Sequence, residues 1–138
     1  MFSRLSIFLL LLLICGCKPP ATRPSHATVI SPGMAHNLIL QQSGNTSFKI
    51  VDVRTPSEFS SGHIQGAINI DWVNDRKRLM TLSKTDTLLV YCQSGRRSAL
   101  AVAYLKDHGF SYLFNMSGGL IQWKKDIKYL SPSPSNEV

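Results

Sequence analysis

The chain has 138 residues, enough for one ordinary domain and too few for two in tandem. Lys and Arg number 15 against 8 Asp and Glu, a net charge of +7 that suits anionic lipid or a small anionic substrate. With only 3 cysteines, the chain is not stapled by a disulfide framework.

Met1 to Arg4 supplies one positive charge, and Leu5 to Ile14 is apolar except for Ser6. That run falls short of the ~20 apolar residues of a membrane span and fits the core of a secretory signal peptide. A buried core helix is the alternative, against which stands the lack of a polar face. Ile14-Cys15-Gly16-Cys17 resembles the lipobox of bacterial lipoproteins, departing from it at Cys15, where a small or aliphatic residue is commoner. The resemblance implies a signal peptide over 1–16, cleavage before Cys17, and lipidation of Cys17. Two or more acyl chains give a stable membrane anchor where one is marginal. Lys18 in place of Asp implies the outer membrane rather than the inner one, with the domain facing the periplasm. Ordinary secretion with a free Cys17 is the other reading. Export also removes nucleic acid as a natural partner for the positive charge.

Residues 17–28 then form the lipidated cysteine and a tether, since Lys18 to Thr28 holds three prolines and no apolar periodicity. The domain spans 29–130, and the polar, proline-interrupted segment 131–138 reads as a disordered tail. Within the domain, Ser31-Pro32 offers an N-cap and a first-turn proline for a helix that Gly44 can end. Phe48 to Val53 is a β-branched strand, Pro56 to Ser61 a short helical turn, and Ala67 to Ile70 a second strand. Trp72 to Leu82 predicts a helix with Trp72, Val73, Leu79, Met80 and Leu82 on its apolar side. Thr87 to Tyr91 is a continuous apolar strand, Ser98 to Leu105 a helix closed by Gly109, Tyr112 to Asn115 a strand, and Gly119 to Tyr129 the last helix. Alternating strands and helices mean an α/β fold: a mostly parallel central sheet of about five short strands with helices on both faces.

In such sheets ligands bind beyond the carboxyl ends of the strands. Three stretches lie there: Asp52-Val53-Arg54, Cys92 with its following loop, and Asn115 to Gly119. Once Cys15 leaves with the leader and Cys17 carries lipid, Cys92 is the one thiol left, in a compartment that favours disulfides. Such a thiol is either buried and inert or kept for chemistry. The loop Cys92-Gln93-Ser94-Gly95-Arg96-Arg97-Ser98 joins a strand to a helix N-terminus. Its amides can converge on one point as an anion nest, and the helix end adds about half a positive charge. Gly95 allows a conformation that a Cβ resists. Arg96 and Arg97 add two permanent charges. A sulfur at that focus is held as thiolate, below a free thiol's pKa of about 8.5.

The stretches "VDVRTPSEFSSGHIQGAINI", "YCQSGRRS" and "NMSGGLIQWKK" together resemble the rhodanese family of sulfurtransferases, most of all its small single-domain bacterial members exported to the periplasm. The resemblance implies a rhodanese-like fold and no cofactor or metal. It implies that thiolate Cys92 takes a sulfane sulfur from thiosulfate, releases sulfite, and passes the sulfur from a persulfide to cyanide or a thiol. Gln93, Ser94, Gly95, Arg96 and Arg97 are then substrate-binding, with Arg97 filling the family's arginine position and Arg96 a variable one. His63 is a turn-holding residue rather than a base, and Arg54 ties the strand end by reaching Glu58. Trp123 belongs to the core or the cavity rim. His26, His36 and His108 show no metal spacing with Cys92.

Two rivals stand beside this reading. A cysteine phosphatase or arsenate reductase places its arginine six positions after the cysteine, where this chain has Ser98. A sulfur carrier or protein-binding module would turn over thiosulfate only incidentally. The thiolate reading falls if the sulfur is walled off from solvent and the neighbouring amides are aimed elsewhere.

Overall fold

The computed structural model describes residues 26–127 together with 130 and 131. The signal peptide, Cys17, the tether up to residue 25, Tyr129 and the tail from residue 132 lie outside the described residues. The chain runs β1 (His26–Ile30), α1 (Pro32–Gln41), β2 (Phe48–Asp52), α2 (Pro56–Ser60), β3 (His63–Ile64) and β4 (Ala67–Asn69). A 3-10 helix (Arg76–Thr81) follows, then β5 (Thr87–Tyr91), α3 (Arg96–Asp107), β6 (Tyr112–Met116), α4 (Gly119–Asp126) and β7 (Leu130–Ser131).

Five strands form one sheet in the order β1-β6-β5-β2-β4, and every pairing in it is parallel. β5 is central, with Asp52 opposite Tyr91 on one side and Thr87 opposite Tyr112 on the other. Leu88, Leu89, Val90 and Tyr91 are all fully buried, as expected of a parallel strand covered on both faces. Leu88, Val90 and Cys92 join Ala101, Val102 and Leu105 of α3 in one core, to which the 3-10 helix adds Leu79. Leu89 and Tyr91 join Ala35 of α1 and Leu120 and Trp123 of α4 in the other. The α/β architecture with helices on both faces is thus present, and its sheet is wholly parallel.

Several local expectations change. β1 begins inside the stretch read as tether: His26 to Thr28 pair with Tyr112 to Phe114 at the sheet edge. Its first four residues are exposed, so the strand carries no apolar signature. The helix expected over Trp72–Leu82 is a turn followed by the 3-10 helix. Asp71 Oδ1 accepts from the amides of Val73 (2.9 Å) and Asn74 (3.2 Å), a side-chain turn that competes with helix initiation. Val73, expected on the apolar side, is exposed. The last helix ends at Asp126, because Ile127 is extended and packs its side chain on the second core. β7 then pairs antiparallel with β3, placing Ser131 in a strand rather than in the tail. Ser31 caps α1 as expected, accepting from Met34 N at 3.3 Å, with Pro32 as the first helical residue. No helix among the described residues is long and apolar enough to cross a membrane.

Candidate active site

Cys92 stands where β5 runs out and α3 has yet to begin. The first amides of α4 bond back onto this loop: Leu120 N donates to Cys92 O at 2.8 Å and Ile121 N to Gln93 O at 3.0 Å. In a trans peptide the C=O and N–H point in opposite directions. Turning these two carbonyls toward α4 therefore turns the N–H groups of Gln93 and Ser94 away from it, across the loop. Gly95 completes the bend in the left-handed region at φ +91, and its amide donates to Cys92 Sγ at 3.2 Å.

The sulfur is buried, which by itself disfavours a thiolate. That penalty is outweighed by hydrogen bonds from the Ser98 hydroxyl and from the amides of Ser98, Ser94 and Gly95, so the thiol's pKa lies below its ordinary value. Ser98 has one hydroxyl proton and two claimants for it, the sulfur and the Gly95 carbonyl at 3.1 Å. An ionised sulfur is the stronger acceptor and competes with that carbonyl for the proton. Ser98 is fully buried in the first turn of α3. Sequence reading assigned it no part in binding; the signal available was a hydroxyl at the helix start, six residues beyond the cysteine.

Behind the loop lies a buried ionic knot. Arg54 donates from Nε to both oxygens of Asp52 at 3.0 Å, and from Nη2 to Asp52 Oδ2 at 2.6 Å and Gly62 O at 2.8 Å. Its Nη1 reaches Gln93 Oε1 at 3.3 Å, tying the loop to the end of β2. The two side chains are 2% and 0% exposed, a burial tolerable only for a charge pair with its hydrogen bonds satisfied. Gln93 thus contributes its side chain to the scaffold of the loop.

Arg54 does not reach Glu58. The partner of Glu58 is Arg97, through a two-pronged pair: Nη1 to Oε2 at 2.7 Å and Nη2 to Oε1 at 2.6 Å. Asp52 lies two residues from Arg54 and captures it first, leaving Glu58 to a guanidinium 39 residues away. A capping box fixes Glu58, with Thr55 N and Thr55 Oγ1 each donating to Oε2 at 3.0 Å. The bond from Arg97, joined by those from Thr55, outweighs partial burial and holds the Glu58 carboxyl down at about 2. Arg97 is 27% exposed and lies within electrostatic reach of Cys92. Arg96 is exposed at the first residue of α3. His63 bonds Phe59 O through Nδ1 at 3.0 Å and stacks on the Phe59 ring, holding its turn. Trp123 is a core residue. Among the described residues, no cluster of three or more His, Cys, Asp or Glu could hold a metal ion.

The structure therefore brings Cys92, Ser94, Gly95 and Arg97 together with Ser98, places Gln93 beneath them and leaves Arg96 outside. Residues 35–126 match the model of the rhodanese-like domain. The chain belongs to the rhodanese-like family. Rhodanese relatives include the thiosulfate sulfurtransferase PspE of Escherichia coli, 40% identical over 79 residues, which span 56% of this chain and 71% of that protein. Thiosulfate sulfurtransferase 16 of Arabidopsis thaliana, chloroplastic, is 34% identical over 109 residues, 70% of this chain and 87% of that one. Among solved structures, a rhodanese-like domain protein from Staphylococcus aureus superposes with a TM-score of 0.64 at 28% identity, covering 76% of this chain and 97% of that chain. The rhodanese relationship makes sulfur transfer the reaction class of this chain.

Proposed function

We propose that the chain carries a sulfane sulfur from thiosulfate, or a donor of similar chemistry, to cyanide or a thiol by way of a Cys92 persulfide. The observation that carries this reading is the convergence of the Ser94, Gly95 and Ser98 amides and the Ser98 hydroxyl on one sulfur. In the first step the Cys92 thiolate attacks the outer sulfur of thiosulfate. The bond between the two donor sulfurs breaks, its electron pair leaves with sulfite, and Cys92 holds the persulfide. In the second step the acceptor attacks the terminal sulfur, and the electron pair of the Cys92–sulfur bond returns to Cys92 as thiolate. The two half-reactions balance without an external oxidant or reductant and predict ping-pong kinetics. The same donors that favour a thiolate favour the persulfide anion, because they are oriented before the charge arrives.

The sulfur is buried and Arg97 is partly exposed near it, so the donor approaches Cys92 beside that guanidinium. A phosphatase reading is disfavoured by position 98, where a buried serine stands in place of an arginine. We further propose export, acylation of Cys17 and attachment to a bacterial membrane facing the periplasm, on the strength of the leader and lipobox in the sequence alone.

Intact mass spectrometry after incubation with thiosulfate tests the central step. One added sulfur atom on the wild-type chain, absent from Cys92→Ser, is the expected result. No added mass on a folded wild-type chain would overturn the reading. The same spectrum taken on membrane-derived material reports the acyl chains on Cys17.

A further inference from the structure

Resting on the sulfur-transfer reading, we propose that Glu58 sets donor selectivity: by occupying the fork of Arg97 it disfavours doubly charged thiosulfate relative to sulfane donors bearing a single negative charge, such as thiosulfonates.

The chain is strongly basic, yet its charge does not gather at the sulfur. Asp52 and Arg54 cancel one another below the loop. At the mouth, both terminal nitrogens of Arg97 donate to Glu58. A second carboxylate, Asp71, follows β4, on the far side of β2 from β5, pinned by Val73 N, Asn74 N and Asn74 Nδ2. Burial pushes its carboxyl up, but those hydrogen bonds, aided by the charge of Arg97, hold it below the ordinary range. Asp71 is thus a second carboxylate within electrostatic reach of the Arg97 guanidinium.

A two-nitrogen fork of a guanidinium matches a sulfonate, and Glu58 already holds the Nη1–Nη2 fork of Arg97. To use it, thiosulfate must displace a carboxylate that Thr55 also grips, and then lie beside it with two charges of its own. A thiosulfonate offers the same outer sulfur and the same sulfur–sulfur bond to break, with a sulfinate as leaving group. It replaces one anionic oxygen with carbon, so it meets Glu58 with half the charge. Glu58 does not touch the reacting atoms and is a specificity residue acting through Arg97.

The test compares thiosulfate with methanethiosulfonate on the wild-type chain and on Glu58→Gln. Gln still satisfies the capping box with Thr55 and is neutral. Glu58→Gln is expected to raise kcat/KM for thiosulfate by ~10-fold or more, the effect of freeing one charge-assisted pair, chiefly through KM. The value for methanethiosulfonate, with half the charge, should move by only about the square root of the thiosulfate factor, ~3-fold for a 10-fold gain, and adding Arg97→Met should erase the thiosulfate gain. An unchanged ratio between the donors, or a parallel loss of both, would overturn the role of Glu58 while leaving sulfur transfer intact. Failure of both donors to load sulfur onto wild-type Cys92 would instead remove the underlying reading, and this inference with it. A measurement that needs no variant is the salt dependence of thiosulfate turnover by the wild-type chain. A near-neutral mouth gives a shallow dependence, whereas a steep decline between low and moderate salt overturns the proposal.

Discussion

Adding a single methyl group at Gly119 tests how the sulfur is held. A Cβ there would stand 2.7 Å from both the carbonyl carbon and oxygen of Gln93, and closer still to the carbonyl oxygen of Cys92. Ordinary contact begins at 3.4 Å, and the obstacles are backbone atoms that cannot rotate aside. The residue also sits at φ +56, where a side chain costs ~1–2 kcal/mol. The loop must retreat, stretching the bonds from Leu120 N and Ile121 N to its two carbonyls, each worth ~1 kcal/mol net. Gly119→Ala should therefore lower unfolding stability by about 3–4 kcal/mol, read by urea denaturation. The same retreat carries the Ser94 and Gly95 amides off the sulfur, so the titration of Cys92, followed by alkylation rate against pH, should move upward. Gly33→Ala is the control: nothing lies within 4 Å of a Cβ in that helical position, and the change should stabilise by ~0.5–1 kcal/mol. A Gly119→Ala chain with wild-type stability and an unmoved thiol titration would refute the view that the α4 contacts aim the loop.

Arg54→Met should cost about 3–5 kcal/mol in denaturation experiments, because it strands the buried Asp52 carboxylate; a loss under ~1 kcal/mol would contradict the ionic knot. Ser98→Ala removes a donor to the thiolate and should slow alkylation of Cys92 at neutral pH by ~3–10-fold with the fold retained; equal rates would show that the hydroxyl stays on Gly95 O. The Glu58 carboxyl falls from 4.5 to about 2 on folding, so its stabilising contribution is full above pH 4.5 and disappears as the pH drops toward 2. Wild-type stability should accordingly decline more steeply across that window than that of Glu58→Gln. Parallel curves would mean the pair adds nothing in solution.

How much of this could be read beforehand differs residue by residue. The β5–Cys92–α3 unit was legible because an uninterrupted apolar run, a glycine and two arginines each constrain the backbone by a local rule. β1 was not, because an edge strand with four exposed residues, next to a proline-rich stretch, leaves no pattern to detect. The turn at Asp71 was missed because side-chain capping of the backbone competes with an apolar spacing that looked helical. The exchange of partners between Arg54 and Arg97 was beyond a sequence argument, since either guanidinium can satisfy Glu58 until the fold decides which is nearer. Ser98 escaped notice because its hydroxyl matters only once the loop curls back over the first turn of α3.

The parallel course of β1 has a consequence for orientation. Strands that all run one way give the sheet a beginning edge and an ending edge, and Cys92 belongs to the latter. The chain preceding His26 enters at the former, one strand length away. An anchor joined directly ahead of His26 would therefore attach at the edge away from the sulfur, as a lamp is fixed to its post from below.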